Sequence, residues 1–163
     1  AKYAGPAVVA IKAESGRAQT AEGMRMPRAA GEGSGFIFRP DGYIITNDHV
    51  VDGFDKVTVT LSDGREYPGK VIRAYDSDLA VVKIEAKNLK TLAFADSDKV
   101  APGEFAMAIG APFGMENSFT FGHVSALHRA DTAIGTRLYP DLIQTDTAIN
   151  MGNSGGPLVD ING

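Results

Sequence analysis

Short strand-like segments separated by glycine, proline and aspartate run through the whole chain, and this pattern constrains the fold most strongly. The segments are AVVAIKA (7–13), SGFIF (34–38), YIIT (43–46), KVTVTL (56–61), REYPGKVI (65–72), LAVVKI (79–84), FAMAIG (105–110), FTFGHVSAL (119–127) and DLIQTDT (141–147). RPDG and SDG join two pairs of them as hairpin turns. No stretch of about a dozen residues shows sustained helical periodicity. The pattern predicts an all-β sandwich or barrel.

Two polar stretches interrupt the strand-like segments. Residues 14–33 read as a long polar loop after the first strand, and FADSDKVAPGE (94–104) reads as a link between two lobes. We therefore predict an N-terminal lobe over residues 1–100 and a C-terminal lobe over residues 101–163.

The composition excludes several classes of function. The 163 residues carry 16 basic and 20 acidic side chains, a net charge of -4, so no basic face indicates a nucleic-acid partner. There is no cysteine, which rules out disulfides and thiolate metal sites. The three histidines are too scattered to predict a zinc site, and we expect no metal and no cofactor. No apolar run approaches the length that spans a membrane.

The segment NMGNSGGPLV (150–159) places one serine among three glycines. Ser154 is either a nucleophile displayed on a turn or a residue of a glycine-rich surface turn. A serine hydroxyl needs a base to take its proton and a third group to orient that base. His49, directly after the strand YIIT, is the candidate base. Asp78, directly before a buried strand, is the candidate acid, and Asp76 is its rival.

The order of these residues along the chain discriminates between two kinds of hydrolase. GNSGG also fits the G-x-S-x-G elbow of α/β-hydrolases, in which the acid and the histidine follow the serine. No histidine follows Ser154 here, so that alternative fails. The order His, Asp, Ser is that of chymotrypsin-type double barrels.

The chain resembles the HtrA/Deg family of serine proteases from about Pro6 to its last residue. The matching blocks, in family order, are GSGFIF, DGYIITN, TNDHVV, DSDLAVVKI, AIGAPFG, FGHVSALHR, IQTDTAIN and GNSGGPLV. The resemblance implies two six-stranded β-barrels of the chymotrypsin-like fold. It also implies that Ser154 is the nucleophile, His49 the general acid and base, and Asp78 its orienting carboxylate. Backbone N–H groups of Gly152 and Ser154, with Asn153 as a third candidate, would form the oxyanion hole.

Specificity is predicted from the residues that precede the nucleophile. Trypsin-like relatives that cleave after basic residues have an aspartate six positions before the serine, where Ala148 stands here, followed by Ile149. An apolar pocket cannot pair with lysine or arginine, so we expect cleavage after small to medium aliphatic residues.

Regulation is expected through loop ordering. Asn153 replaces the aspartate that pairs with a new N-terminus in proteases activated by cleavage. The resemblance points instead to the loops Ala111–Ser118 and Arg129–Asp141, with Arg129 as a candidate sensor of an allosteric signal.

Two departures from the family pattern carry expectations of their own. Met151 stands where the family usually has proline, which leaves the approach to the oxyanion hole less stiff. After PLVDING the family continues for two further strands and commonly one or more PDZ domains. We therefore expect an incomplete second barrel and an oxyanion hole that is not properly formed. Either the peptide between Met151 and Asn153 is turned away, or the loops Ala111–Ser118 and Arg129–Asp141 are displaced.

The sequence thus predicts a serine endopeptidase acting on unfolded or exposed protein segments. The resemblance further implies a homotrimer in an extracytoplasmic compartment, the periplasm in a bacterium. The alternative is a catalytically silent protein that keeps the protease fold as a peptide-binding or structural module.

Overall fold

The first half of the chain forms a closed antiparallel barrel in a computed structural model that describes residues 2–16, 30–73, 77–112, 117–129, 132–134, 137–139 and 141–163. Its strands are β1 (Val8–Glu14), β2 (Ala30–Arg39), β3 (Tyr43–Thr46), β4 (Lys56–Thr60), β5 (Glu66–Arg73) and β6 (Ala80–Lys83). They are hydrogen-bonded in the order β1-β2-β3-β6-β5-β4, and β4 pairs with β1 to close the barrel. Closure leaves no free strand edge among these six described strands.

Alternating side chains fill the barrel. In β4 the burial pattern of KVTVT alternates strictly, with Val57 and Val59 inward. Branched aliphatic residues from all the strands meet inside, as expected for a pleated surface buried on one face. The largest fully buried members of this core are Val9, Ile11, Ile37, Ile44, Val51, Val59, Val82 and Ile84.

The second half is also built of strands. They are β7 (Phe105–Gly110), β8 (Ser118–Ala126), β9 (Thr132–Ile134), β10 (Arg137–Tyr139), β11 (Gln144–Thr145) and β12 (Leu158–Val159). Four form a sheet in the order β11-β8-β7-β12, and β9 pairs with β10 in a hairpin. Among the described residues these strands do not close into a barrel. The all-β prediction with an incomplete second barrel is therefore confirmed.

A second apolar cluster joins the two halves. Val8 at the start of β1 packs with Met107 and Ile109 of β7 and with Val159 of β12. Because strands of both halves share this core, β1 of the first half is held against β7 and β12 of the second half.

Helix is confined to single turns in the described part of the chain. These are α1 (Asp48–Val51) and two 3₁₀ turns, Gly5–Ala7 and Ser97–Lys99. His49 thus lies in a helical turn that follows β3. None of the helices in the described ranges is long and apolar enough to cross a membrane.

The structure departs from the predicted elements in two places. β2 begins at Ala30, where it pairs with Glu14 of β1, so the predicted loop 14–33 ends earlier than expected. Of the predicted strand 141–147, only Gln144–Thr145 is paired, whereas β9, β10 and β12 were not predicted. In each case cross-strand pairing outweighs local composition.

Candidate active site

The ladder between β3 and β6 places His49 and Asp78 at the same end of the first barrel. Thr46, the last residue of β3, pairs with Ala80, the first residue of β6, so residues just after β3 lie beside residues just before β6. Two further bonds fix this junction. The Asn47 Nδ2 donates to the Asp78 carbonyl at 2.8 Å, and the Asp48 N–H donates to the same oxygen at 3.3 Å.

His49 and Asp78 contact each other through two hydrogen bonds. The His49 Nδ1 lies 2.8 Å from Asp78 Oδ2, and the His49 main-chain N–H donates to Asp78 Oδ1 at 3.0 Å. A carboxylate facing Nδ1 favours the tautomer with a proton on that nitrogen, which leaves Nε2 as the acceptor. The His49 side chain is half exposed, so Nε2 can meet a substrate-side group.

Asp78 is held in its ionised form. Its side chain is only 5% exposed. Burial raises the pKa of this carboxyl, but the hydrogen bonds from the His49 main chain, the His49 ring and the Tyr139 hydroxyl together outweigh that effect and lower it. The negative charge that could stabilise a positively charged imidazole is therefore present at neutral pH.

Tyr139 also contacts this carboxylate, and it was not predicted from the sequence. Its hydroxyl donates to Asp78 Oδ2 at 3.1 Å. Tyr139 ends β10, in the hairpin of the second half, 61 residues away from Asp78 along the chain. No local pattern in the surrounding segment RLYPD predicts such a contact.

The turn that carries Ser154 is docked on the first barrel. The Ser34 N–H of β2 donates to the Ser154 carbonyl at 2.8 Å. Gly33 lies so close that a Cβ there would stand 3.0 Å from the same carbonyl oxygen and 2.7 Å from Val50 Cγ2. The main chain of Ser154 and the helical turn that carries His49 therefore both lie against Gly33, on the same side of β2. Within the described residues the Ser154 hydroxyl makes no hydrogen bond; such bonds are often formed only when substrate is bound.

The main chain around Gly152 leaves two N–H groups available. Gly152 has φ of +95°, a conformation that favours glycine, and a Cβ there would meet Pro112 Cβ at 2.7 Å. The Asn153 N–H donates to the Asn150 carbonyl at 3.1 Å. The N–H groups of Gly152 and Ser154 donate to no atom of the described residues. Of the three donors predicted, Asn153 is thus engaged elsewhere, because its amide closes the preceding turn.

The predicted pocket residues lie on the surface beside this turn. Ala148 and Ile149 are both exposed, and Ile149 is 66% exposed. The Thr120 hydroxyl holds the Ala148 carbonyl at 2.7 Å. The nearest preceding acid, Asp146, accepts a bond from the His123 N–H and is therefore turned toward β8.

Arg129 and the remaining predicted positions are partly described. The Arg129 Nε donates to the Gln144 side chain at 2.8 Å, and its main-chain N–H donates to the Leu142 carbonyl at 3.1 Å. Asp76 lies outside the described residues, as do parts of the two predicted regulatory loops. No group of metal-ligating side chains occurs among the residues that were described.

A closed antiparallel barrel that carries a His-Asp pair, with a glycine-flanked serine turn from a second β-sheet docked on it, is the architecture of the chymotrypsin-type serine peptidases. Comparison with known proteins agrees. The family described as "Trypsin-like peptidase domain" matches residues 33–163. The chain belongs to this family and, within it, to the HtrA/Deg serine proteases.

The chain is similar to curated proteins and solved structures that carry these names. The chain is 49% identical over 142 residues to the putative serine protease HhoB of Synechocystis, covering 84% of this chain and 33% of the relative. It is 49% identical over 137 residues to a probable periplasmic serine endoprotease, DegP-like, of Chlamydia pneumoniae, covering 83% of this chain and 28% of the relative. The structure of the HtrA-type protease AlgW with a tripeptide superposes with a TM-score of 0.83 at 39% identity, covering 98% of this chain and 48% of that one. The chain thus spans about a third of the length of these curated relatives.

Proposed function

We propose that this chain is the catalytic part of a serine endopeptidase in which Ser154, His49 and Asp78 form the triad. The observation that carries the proposal is the pairing of the buried Asp78 carboxylate with His49 Nδ1 at 2.8 Å, beside the docked turn of Ser154. Residues 1–100 would supply the base and the acid, and residues 101–163 the nucleophile.

The geometry supports the following chemistry. The Ser154 hydroxyl attacks the carbonyl carbon of the scissile peptide bond while His49 Nε2 takes its proton. Asp78 stabilises the resulting imidazolium and holds its orientation. The negative oxygen of the tetrahedral intermediate is bound by the N–H groups of Gly152 and Ser154. His49 then gives its proton to the leaving amine, and water releases the acyl group by the reverse sequence.

The substrate is proposed to be an unfolded or exposed segment of a protein. HtrA-type and DegP-like proteases are the proteins to which the chain is similar, and one solved relative holds a tripeptide. The exposed, uncharged Ala148 and Ile149 beside the nucleophile support cleavage after Val, Ala, Ile or Leu. A peptide library is expected to show that preference, with little cleavage after Lys or Arg.

The whole protein is proposed to act outside the cytoplasm, because several of its relatives are named periplasmic proteases. We also propose a homotrimer, control by ordering of the loops around Ala111–Ser118 and Arg129–Asp141, and PDZ domains as partners of the catalytic part. Sedimentation of the intact protein tests the trimer directly.

The direct test of the proposed function is degradation of casein by the intact protein. Ser154→Ala is expected to abolish degradation while the thermal unfolding midpoint stays unchanged, and His49→Ala should be about equally damaging, because triad members act as a unit. Degradation that survives Ser154→Ala would overturn the proposal. A wild-type protein that binds casein without cutting it would instead favour a catalytically silent peptide-binding module.

A further inference from the structure

All the polar groups of Ser34, in β2, are hydrogen-bonded: three bonds reach the second half of the chain and one reaches Thr46 of β3. The residue is fully buried. Its main-chain N–H donates to the Ser154 carbonyl at 2.8 Å, and its own carbonyl accepts from the Thr46 hydroxyl at 2.7 Å. Its Oγ accepts from the Ala111 N–H at 2.8 Å and donates to the Gly152 carbonyl at 2.6 Å.

The direction of the Ser34 hydroxyl proton follows from its two partners. A main-chain N–H can only donate and a main-chain carbonyl can only accept. The Ala111 N–H therefore occupies a lone pair of Oγ, and the hydroxyl proton must point to the Gly152 carbonyl. With both partners fixed, this buried hydroxyl has one arrangement that satisfies every group.

The Gly152 carbonyl belongs to the peptide that lies between the two proposed oxyanion donors. The Gly152 N–H precedes this peptide and the Ser154 N–H follows it. Anchoring its carbonyl inward restricts rotation of the backbone on both sides. On the opposite edge of the same planar peptide, the Asn153 N–H donates to the Asn150 carbonyl at 3.1 Å. The Ser154 carbonyl is anchored by Ser34 as well, so one residue fixes both ends of the donor segment.

We propose that Ser34 is a positioning residue for the oxyanion hole of the peptidase. Its hydroxyl keeps the Gly152 carbonyl turned into the protein, and through the Ala111 N–H it ties that orientation to the segment that begins at residue 111. The inference rests on the proposed function, because a hole needs positioning only if Ser154 attacks a carbonyl. A residue of the first barrel would thus position the N–H groups of Gly152 and Ser154, which belong to the second half.

Ser34→Ala in the intact protein tests the inference. Loss of the hydroxyl frees the Gly152 carbonyl, so kcat on a peptide substrate is expected to fall by about 10- to 100-fold, less than the 10²- to 10³-fold typical of a donor removed outright. KM should stay within about twofold, since the substrate is bound before the oxyanion develops. Inhibition by a peptide boronic acid, whose tetrahedral adduct places an oxygen in the hole, should weaken in parallel with kcat/KM.

Thr46→Val is the matched control. Thr46 is also fully buried, and its hydroxyl donates to the Ser34 carbonyl and not to the Gly152 carbonyl. The control should lower the unfolding midpoint about as much as Ser34→Ala but leave kcat within about twofold of wild type. Equal losses of kcat in the two variants would overturn the inference, as would a folded Ser34→Ala protein with wild-type kcat.

A second variant covers the case in which Ser34→Ala does not fold. Ser34→Cys keeps a weak S–H donor and a weak acceptor at the same position. It should show a smaller fall in kcat with unchanged KM, and a rise in KM at unchanged kcat would contradict the inference. Failure of the proposed function is recognised separately, by activity that survives Ser154→Ala. An inactive Ser154→Ala protein beside a fully active Ser34→Ala protein refutes only the role of Ser34.

Discussion

His49 is bound to Asp78 at two points, through its ring Nδ1 at 2.8 Å and through its main-chain N–H at 3.0 Å. Both carboxylate oxygens therefore act on one residue, which sets the position of the helical turn as well as the tautomer of the ring. Asp78→Asn replaces one acceptor with a donor and favours the wrong tautomer. We expect kcat to fall by about 10⁴-fold, the loss known for this change in a chymotrypsin-type triad.

Asp76→Asn provides the control for that measurement, since it removes a carboxylate two positions away. It should leave kcat within a few-fold of wild type. A severe loss in Asp76→Asn together with a mild one in Asp78→Asn would move the triad acid to residue 76.

The ionisation of Asp78 should make stability depend on pH. Its pKa in the folded protein is lowered below its ordinary value of about 4 by its hydrogen bonds, although burial opposes them. The carboxylate therefore contributes stability above about pH 4, and this contribution is lost as the pH falls through the folded pKa. Urea unfolding of wild type and Asp78→Asn should show their difference shrinking as the pH drops below 4. A difference that grows on acidification would contradict this assignment.

The contact of Tyr139 with Asp78 provides a prediction for the hairpin of the second half. Tyr139→Phe removes only the hydroxyl that donates to Oδ2 at 3.1 Å. We expect a fall in kcat of about 2- to 10-fold, the worth of one hydrogen bond, and a shifted proton resonance for the His49 Nδ1–H, which shares that oxygen. Tyr67→Phe is the control, because it loses a bond to Arg65 in the first barrel. Equal effects of the two changes would exclude a specific role for Tyr139.

Local pattern predicted the strands of the first barrel and gave His49 and Asp78 as candidates, with Asp76 as a rival, and the family resemblance then selected Asp78. YIIT and LAVVKI read as strands, and residues at their ends meet because β3 and β6 pair. The roles of Ser34 and Tyr139 could not be predicted from the sequence, and the reason is physical. Their partners Gly152 and Asp78 lie 118 and 61 residues away along the chain. In addition, a serine between glycines has no local feature that distinguishes a buried hydrogen-bonding residue from a residue of a surface turn. The two-residue strand β12 likewise exists only through its pairing with β7.

The predicted preference for aliphatic residues is tested by introducing a carboxylate at position 148. Ala148→Asp should shift cleavage in a peptide library from aliphatic toward Lys and Arg, because a carboxylate there can pair with a basic side chain. Ala148→Asn adds the same volume without the charge and should reduce cleavage without changing the preference. A preference that is unchanged by Ala148→Asp would mean that residue 148 does not face the substrate side chain.

Covalent labelling with a fluorophosphonate tests most directly whether Ser154 is a nucleophile activated by His49. The reagent forms a bond to an activated serine oxygen, so peptide mapping by mass spectrometry reports which hydroxyl reacted and how fast. We expect a single modification of the intact protein, at Ser154, with a rate that falls by orders of magnitude in His49→Ala while the fold is retained. Modification of a different residue, or labelling of Ser154 at the same rate in wild type and His49→Ala, would contradict this expectation.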